Sequence, residues 1–137
     1  MLYRRLPQEI IHNQLPIFLW GMAIFVSSSI PSDQLPPLAV FGFDKLVHFA
    51  IFLVFCWLSH RALRLQESFR FLQSHSLKAS IAITVVYGIL DELHQSFVPG
   101  RNSSAYDVIA DAIGAVLYGG AYWVLVSRSA GTGKNGT

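Results

Sequence analysis

The sequence predicts an all-α protein, a transmembrane bundle of four helices with both termini cytoplasmic. Three observations predict it. The 137 residues are 53% hydrophobic and only 13% charged, with a mean hydropathy of +0.45. A soluble domain carries about 25% charged residues, so roughly half the usual charge is present. Long uncharged runs alternate with connectors that hold the prolines or the arginines. The cations also gather on alternate connectors, as they do in proteins threaded through a bilayer.

The same composition excludes several classes. Intrinsic disorder needs low hydrophobicity and high charge. The length allows one domain. A single cysteine, Cys56, forms no internal disulfide, and no C-x-x-C pair is present for structural zinc. A net charge of +2 does not argue for nucleic acid.

The first span is expected over about 12–30, because residues 10–32 hold no charge for 23 positions. That covers a hydrocarbon core of about 30 Å at about 1.5 Å per residue. Arg4 and Arg5 before it and Ser27-Ser28-Ser29 at its end also fit a cleaved signal peptide; the spans downstream favour a retained helix. The second span, about 44–60, rests on an uncharged run of 15 residues, 46–60. The third, about 78–98, rests on 12, residues 79–90, and the fourth, about 107–126, on 16, residues 112–127. These three reach spanning length only with charged residues inside the membrane boundary.

The rival is a soluble four-helix bundle, and the helix faces decide against it. Residues 50–58 offer no polar side, and residues 114–126 offer only Tyr118 and Tyr122. A helix apolar all round is buried in lipid or in a large core, which a chain this short cannot build. The membrane domain is placed at 1–127, with a flexible cytoplasmic tail at 128–137. The connectors are 31–43, broken by Pro31, Pro36 and Pro37, then 61–76, then 99–106, broken by Pro99-Gly100. Leu63, Leu65, Phe69, Phe71 and Leu72 lie among the arginines of the middle connector. An ordinary loop is favoured there over a short interfacial helix.

Orientation follows from the cations. Arg4, Arg5, Arg61, Arg64, Arg70, Lys78, Arg128 and Lys134 share one side, eight of the ten, and only Lys45 and Arg101 take the other. The termini and the middle connector are therefore expected in the cytoplasm.

That orientation collects five of the eight carboxylates at the outer ends of the last three spans: Asp44, Asp91, Glu92, Asp107 and Asp111. Lys45, His48, His94, Gln95, Arg101 and Asn102 join them. Residues three and four apart share a helix face, which groups Asp44 with His48, Asp91 with His94 and Gln95, and Asp107 with Asp111. An ionised group in lipid costs at least about 2.5 to 3.5 kcal/mol, so these polar edges should face one another or a wet cavity. A satisfied network that only locks the helices together is the plainer reading of any one residue. Five acids exceed what locking a small bundle requires.

The acids outnumber Lys45 and Arg101 by three. Crowded carboxylates cannot all ionise in a low-dielectric site, so one or more should hold a proton and the cluster could supply both general acid and general base. Protonated His48 and His94 are a second solution. A bound Mg²⁺- or Ca²⁺-like ion is the third and less favoured one, and no ligand spacing specifies zinc. No metal and no cofactor are expected. Arg101, beside a helix N-terminus, suits a phosphate or carboxylate group or else pairs with Asp107 or Asp111.

Other residues read as packing. Ser80, Thr84 and Gly88 form a small stripe, as do Ala110 with Gly114 and Ala115 with Gly119; such stripes let membrane helices approach closely. Cys56 reads as a small apolar filler, and Trp20, Trp57 and Trp123 as packing or interface anchors. His12, His60 and His75 fall on the cytoplasmic half and read as incidental.

Three segments resemble the motifs of the VanZ-like family: DKLVHF at 44–49, DELHQSFVPGR at 91–101 and SSAYDVIADAIGA at 103–115. The resemblance covers about 16–126. It implies a multi-spanning protein of the bacterial plasma membrane, in a family whose founding member confers low-level teicoplanin resistance. It carries the family's polar positions onto Asp44, Lys45, His48, Asp91, Glu92, Gln95, Arg101, Asp107 and Asp111. Many relatives place asparagine where this chain has Asp111.

Three functions fit these edges. The first is an outward-facing polar site that binds or modifies a cell-envelope or lipid-linked headgroup. There Asp91, Glu92, His48 and Asp44 handle protons, and Arg101, Lys45, Gln95, His94, Asp107 and Asp111 bind the substrate. Membrane lipids and an anionic lipid-linked precursor are its expected partners. The second is a proton- or ion-coupled transporter, which with four helices needs a homo-oligomer. The third is a non-catalytic membrane scaffold.

Overall fold

The computed structural model describes the backbone of residues 7–34 and 43–132, with side chains from residues 11–34 and 43–130. Five α-helices and no strand occur among them: α1 Pro7–Ser28, α2 Phe43–Leu65, α3 Arg70–Ser74, α4 Ser76–Gln95 and α5 Ala105–Thr132. A 3-10 turn at Ser32–Gln34 follows α1. Arg4 and Arg5, Pro36 and Pro37, and Lys134, on which parts of the sequence reading rest, lie outside the described residues.

α2 is the central helix and packs against α5, α4 and α1. Its contact with α5 is close because Gly114 meets the α2 backbone: a Cβ there would fall 2.5 Å from the Phe49 carbonyl oxygen. Gly88 of α4 lies against Asp111 of α5, and Gly119 lies against Ile81. Ser80, Thr84, Cys56 and Ala115 fill the rest of this three-helix seam, each fully buried. The small-residue stripes thus do what small residues do between membrane helices, bringing backbones together.

α1 is held differently. An aromatic and aliphatic cluster of Ile24, Phe52 and Phe55 joins it to α2, with Tyr87 of α4 packed 4.7 Å from the Phe55 ring. Three side chains then reach across to main-chain oxygens. Trp20 Nε1 donates to Ile51 O at 3.1 Å, Gln14 Nε2 to Ala62 O at 3.0 Å, and Tyr87 Oη to Gly21 O at 2.7 Å. Each gives a large polar tip a partner inside an apolar contact, where an unpaired one would cost about 1–3 kcal/mol.

The bundle is more polar inside than out. Among the described residues, eleven buried side chains are polar or charged and eight are hydrophobic, whereas Phe18, Leu19, Met22, Leu93, Trp123 and Leu125 are all more than half exposed. A soluble bundle reverses that arrangement. Two segments, Phe43–Leu65 and Ala105–Ala130, are long and apolar enough to cross a membrane. α4 carries Lys78, Asp91 and Glu92 within its 20 residues, which keeps it below that standard.

The structure moves several boundaries. α2 continues to Leu65, five residues past the expected end, and α5 runs to Thr132 instead of giving way to a flexible tail after 127. α4 ends at Gln95, and Phe97 and Val98 close its last turn through bonds to His94 O and Gln95 O. The middle connector contains the short helix α3 where a plain loop was favoured. Gly100 has a φ of +74°, the left-handed conformation that lets the Pro99-Gly100 connector turn toward Ser32.

Candidate functional site

Three helix ends meet at one polar cluster. The first turn of α5 is set by Ser104, whose hydroxyl accepts from Tyr106 N at 3.2 Å. The Ser104 N–H donates to Glu92 Oε2 of α4 at 2.7 Å. Two orphan groups of a helix start are thereby satisfied, one by a neighbouring hydroxyl and one by a carboxylate favoured at that positive end. This pins α5 to α4 and turns Asp107 and Asp111 inward, where both are buried.

His48 of α2 enters between them. Its Nδ1 lies 3.1 Å from Asp111 Oδ1 and its Nε2 lies 3.9 Å from Glu92 Oε1. The imidazole is thus framed by carboxylates from two other helices. Both ring nitrogens therefore face a carboxylate, Nδ1 that of Asp111 and Nε2 that of Glu92. Glu92 Oε1 and Asp111 Oδ2 are buried without a hydrogen-bond partner. His48 also stacks parallel to Phe52, which fixes its ring plane.

Lys45 closes the cluster from outside. Its ammonium bridges Asp44 Oδ2 at 2.7 Å and Asp107 Oδ1 at 3.1 Å. Lys45 and Asp44 side chains are 40% and 53% exposed, so they form the accessible rim, and Glu92, Asp107 and Asp111 the floor. Asp91, next to Glu92 on α4, is buried and accepts from Gln95 Nε2, one turn on, at 3.0 Å.

Two of the residues singled out in the sequence sit elsewhere. Arg101 turns to the carbonyl end of α1, donating from Nε to Ile30 O at 3.0 Å and from Nη2 to Ser27 O at 2.7 Å. It pairs with neither Asp107 nor Asp111 in this arrangement. His94 also turns to α1, where Nε2 lies 2.9 Å from Ser29 Oγ and the ring stacks on Phe25 at 4.7 Å. The cluster proper is therefore Asp44, Lys45, His48, Glu92, Asp107 and Asp111, with the Asp91–Gln95 pair beside it.

A second polar group escaped the sequence reading. His60, read as incidental, is buried at the far end of α2 with Nδ1 2.7 Å from Tyr118 Oη, and its ring packs edge-on against Tyr122 at 4.4 Å. Arg64 Nη1 donates to Tyr122 Oη at 3.3 Å. The signal available was Tyr118 and Tyr122, the two polar groups on an otherwise apolar stretch, four apart on one face.

The chemistry at hand is that of a buried carboxylate–imidazole pair with a lysine at its mouth. Such a group can orient an anion at Lys45, move a proton through His48, or hold a cation between oxygens and the imidazole. The family model described as VanZ/LLP1 matches residues 5–126. No curated protein and no solved structure matches the chain.

Proposed function

From the chain's membership of the VanZ/LLP1 family, we propose that this membrane protein crosses the bacterial plasma membrane four times, with both termini in the cytoplasm. We further infer that its polar cluster faces outward and binds or modifies the headgroup of a lipid-linked envelope component. One observation carries the reading: His48 is held between two buried carboxylates of different helices, Asp111 and Glu92, under a lysine rim. A bundle whose outside is apolar has little reason to bury four acids unless they serve a ligand, since each costs several kcal/mol unpaired.

In this reading Lys45 attracts the anionic part of the headgroup and His48 moves a proton, with Asp111 fixing its orientation. Glu92 serves as the partner acid. Asp91 and Gln95 support α4 behind the cluster. Teicoplanin susceptibility would change as a consequence of altered envelope composition.

Native mass spectrometry of the protein purified from its own membranes tests the reading. A specifically retained envelope lipid is expected for the parent chain, with retention reduced for Lys45→Ala and His48→Ala. A parent chain that retains only bulk phospholipid in its membrane proportions would overturn it.

A further inference from the structure

We propose that His48, Glu92 and Asp107 bind one divalent transition-metal ion, with Asp111 holding the imidazole from behind; headgroup binding at Lys45 stands beside this site, and the ion takes the place of proton transfer by His48 and Glu92. One ligand atom from each of the three residues lies within 4.8 Å of the others. Ligand atoms of one tetrahedral ion with bonds of about 2.1 Å lie about 3.4 Å apart, so the group needs to close by up to about 1.4 Å around the ion.

The acidic cluster is not the only ground. Glu92 Oε1 is a carboxylate oxygen with no hydrogen-bond partner, on a side chain 5% exposed, and it faces His48 Nε2 at 3.9 Å. That separation is too long for a hydrogen bond and suits two ligands of one ion. On the other side of the ring, Nδ1 is engaged by Asp111 Oδ1 at 3.1 Å, on a side chain with 0% exposure. A carboxylate behind a histidine whose second nitrogen looks into a donor set is the usual outer support of a histidine ligand. Asp107 keeps a second oxygen, Oδ2, besides the one bonded to Lys45.

Charge and donor type agree. Asp91, Glu92, Asp107 and Asp111 are all buried, and among the described residues Lys45 reaches one of them, Asp107, while the Arg101 guanidinium is spent on Ile30 O and Ser27 O. A dication would offset the excess. An imidazole nitrogen beside two carboxylates selects Mn²⁺ or Zn²⁺ over Mg²⁺ or Ca²⁺, which prefer oxygen alone. The oxygen-only ion considered from the sequence is thereby replaced by a mixed nitrogen–oxygen site.

The test uses the full-length protein without a histidine tag, stripped of metal and reloaded with Mn²⁺ or Zn²⁺ alone. About one equivalent should survive desalting. Electron spin-echo spectroscopy of the Mn²⁺ form should show imidazole nitrogen coupling in the parent chain, a result independent of any variant's folding. Glu92→Gln and Asp107→Asn should lose the equivalent, Asp111→Asn should weaken binding about 10- to 100-fold, and His75→Ala should change nothing. Failure of the parent to retain metal, bound Mn²⁺ without nitrogen coupling, or full binding by folded Glu92→Gln and Asp107→Asn would each overturn the site. Metal without a retained lipid sinks the headgroup reading alone, and lipid without metal sinks this one alone.

Discussion

His48 Nδ1 and Asp111 Oδ1 lie 3.1 Å apart although 63 residues separate them, and this contact couples α2 to α5 at the polar end of the bundle. Removing one partner leaves the other buried and unpaired, at a cost of about 1–3 kcal/mol. A double-mutant cycle on unfolding in detergent should therefore show Asp111→Ala and His48→Ala costing less together than the sum of the two. Additive losses would mean that the two groups do not stabilise each other.

The glycines give a graded packing test. Gly114→Ala puts a methyl against the backbone of α2, which cannot move aside, and Gly88→Ala puts one 2.6 Å from the Asp111 carboxylate. Each should cost about 1–3 kcal/mol of bundle stability. Gly120 has nothing within 4 Å, so Gly120→Ala should be neutral or stabilise by up to about 1 kcal/mol through helix propensity. Equal thermal shifts for all three would contradict the proposed helix contacts.

Arg101 separates structure from ligand binding. Its bonds to Ser27 O and Ile30 O predict that Arg101→Ala lowers stability by about 1.5–3 kcal/mol, as for hydrogen bonds from a charged donor. Lipid retention should fall only as far as the loss of folded protein accounts for. Unchanged melting with lost retention would return Arg101 to the binding site.

At the opposite end, Tyr118→Phe removes the partner of a buried His60 and should cost about 1–3 kcal/mol. Retained lipid and metal should be the same as in the parent chain. A variant that melts normally but loses its ligand would extend the site to this end.

Much of this was legible in the sequence, for a physical reason. Apolar runs, small-residue stripes and helix-face spacing are local properties, so the four long helices and their inward seams could be read from Ser80, Thr84, Gly88 and Gly114. Pairing across helices is not local. The spacing put Asp44 with His48 and Asp91 with His94 and Gln95; Asp91 does meet Gln95, but His48 turns to Asp111 and Glu92, and His94 turns to Ser29. Buried groups take the partners that desolvation leaves them, and those stand on other helices. Arg101 meets α1 for the same reason: the carbonyls of Ser27 and Ile30 come near it only after folding. The length of α2 depends on His60 and Ala62 finding Tyr118 and Gln14, which no window around residue 60 contains.

Impermeant thiol labelling of intact cells tests the outward-facing polar end most directly. In a Cys56→Ala background, Ser103→Cys lies in the connector above the cluster and Gln73→Cys lies on α3 at the other end. Labelling of position 103 from outside, with position 73 reached only after the membrane is opened, is the predicted result. The reverse pattern would place the His48–Asp111 end in the cytoplasm and contradict the account.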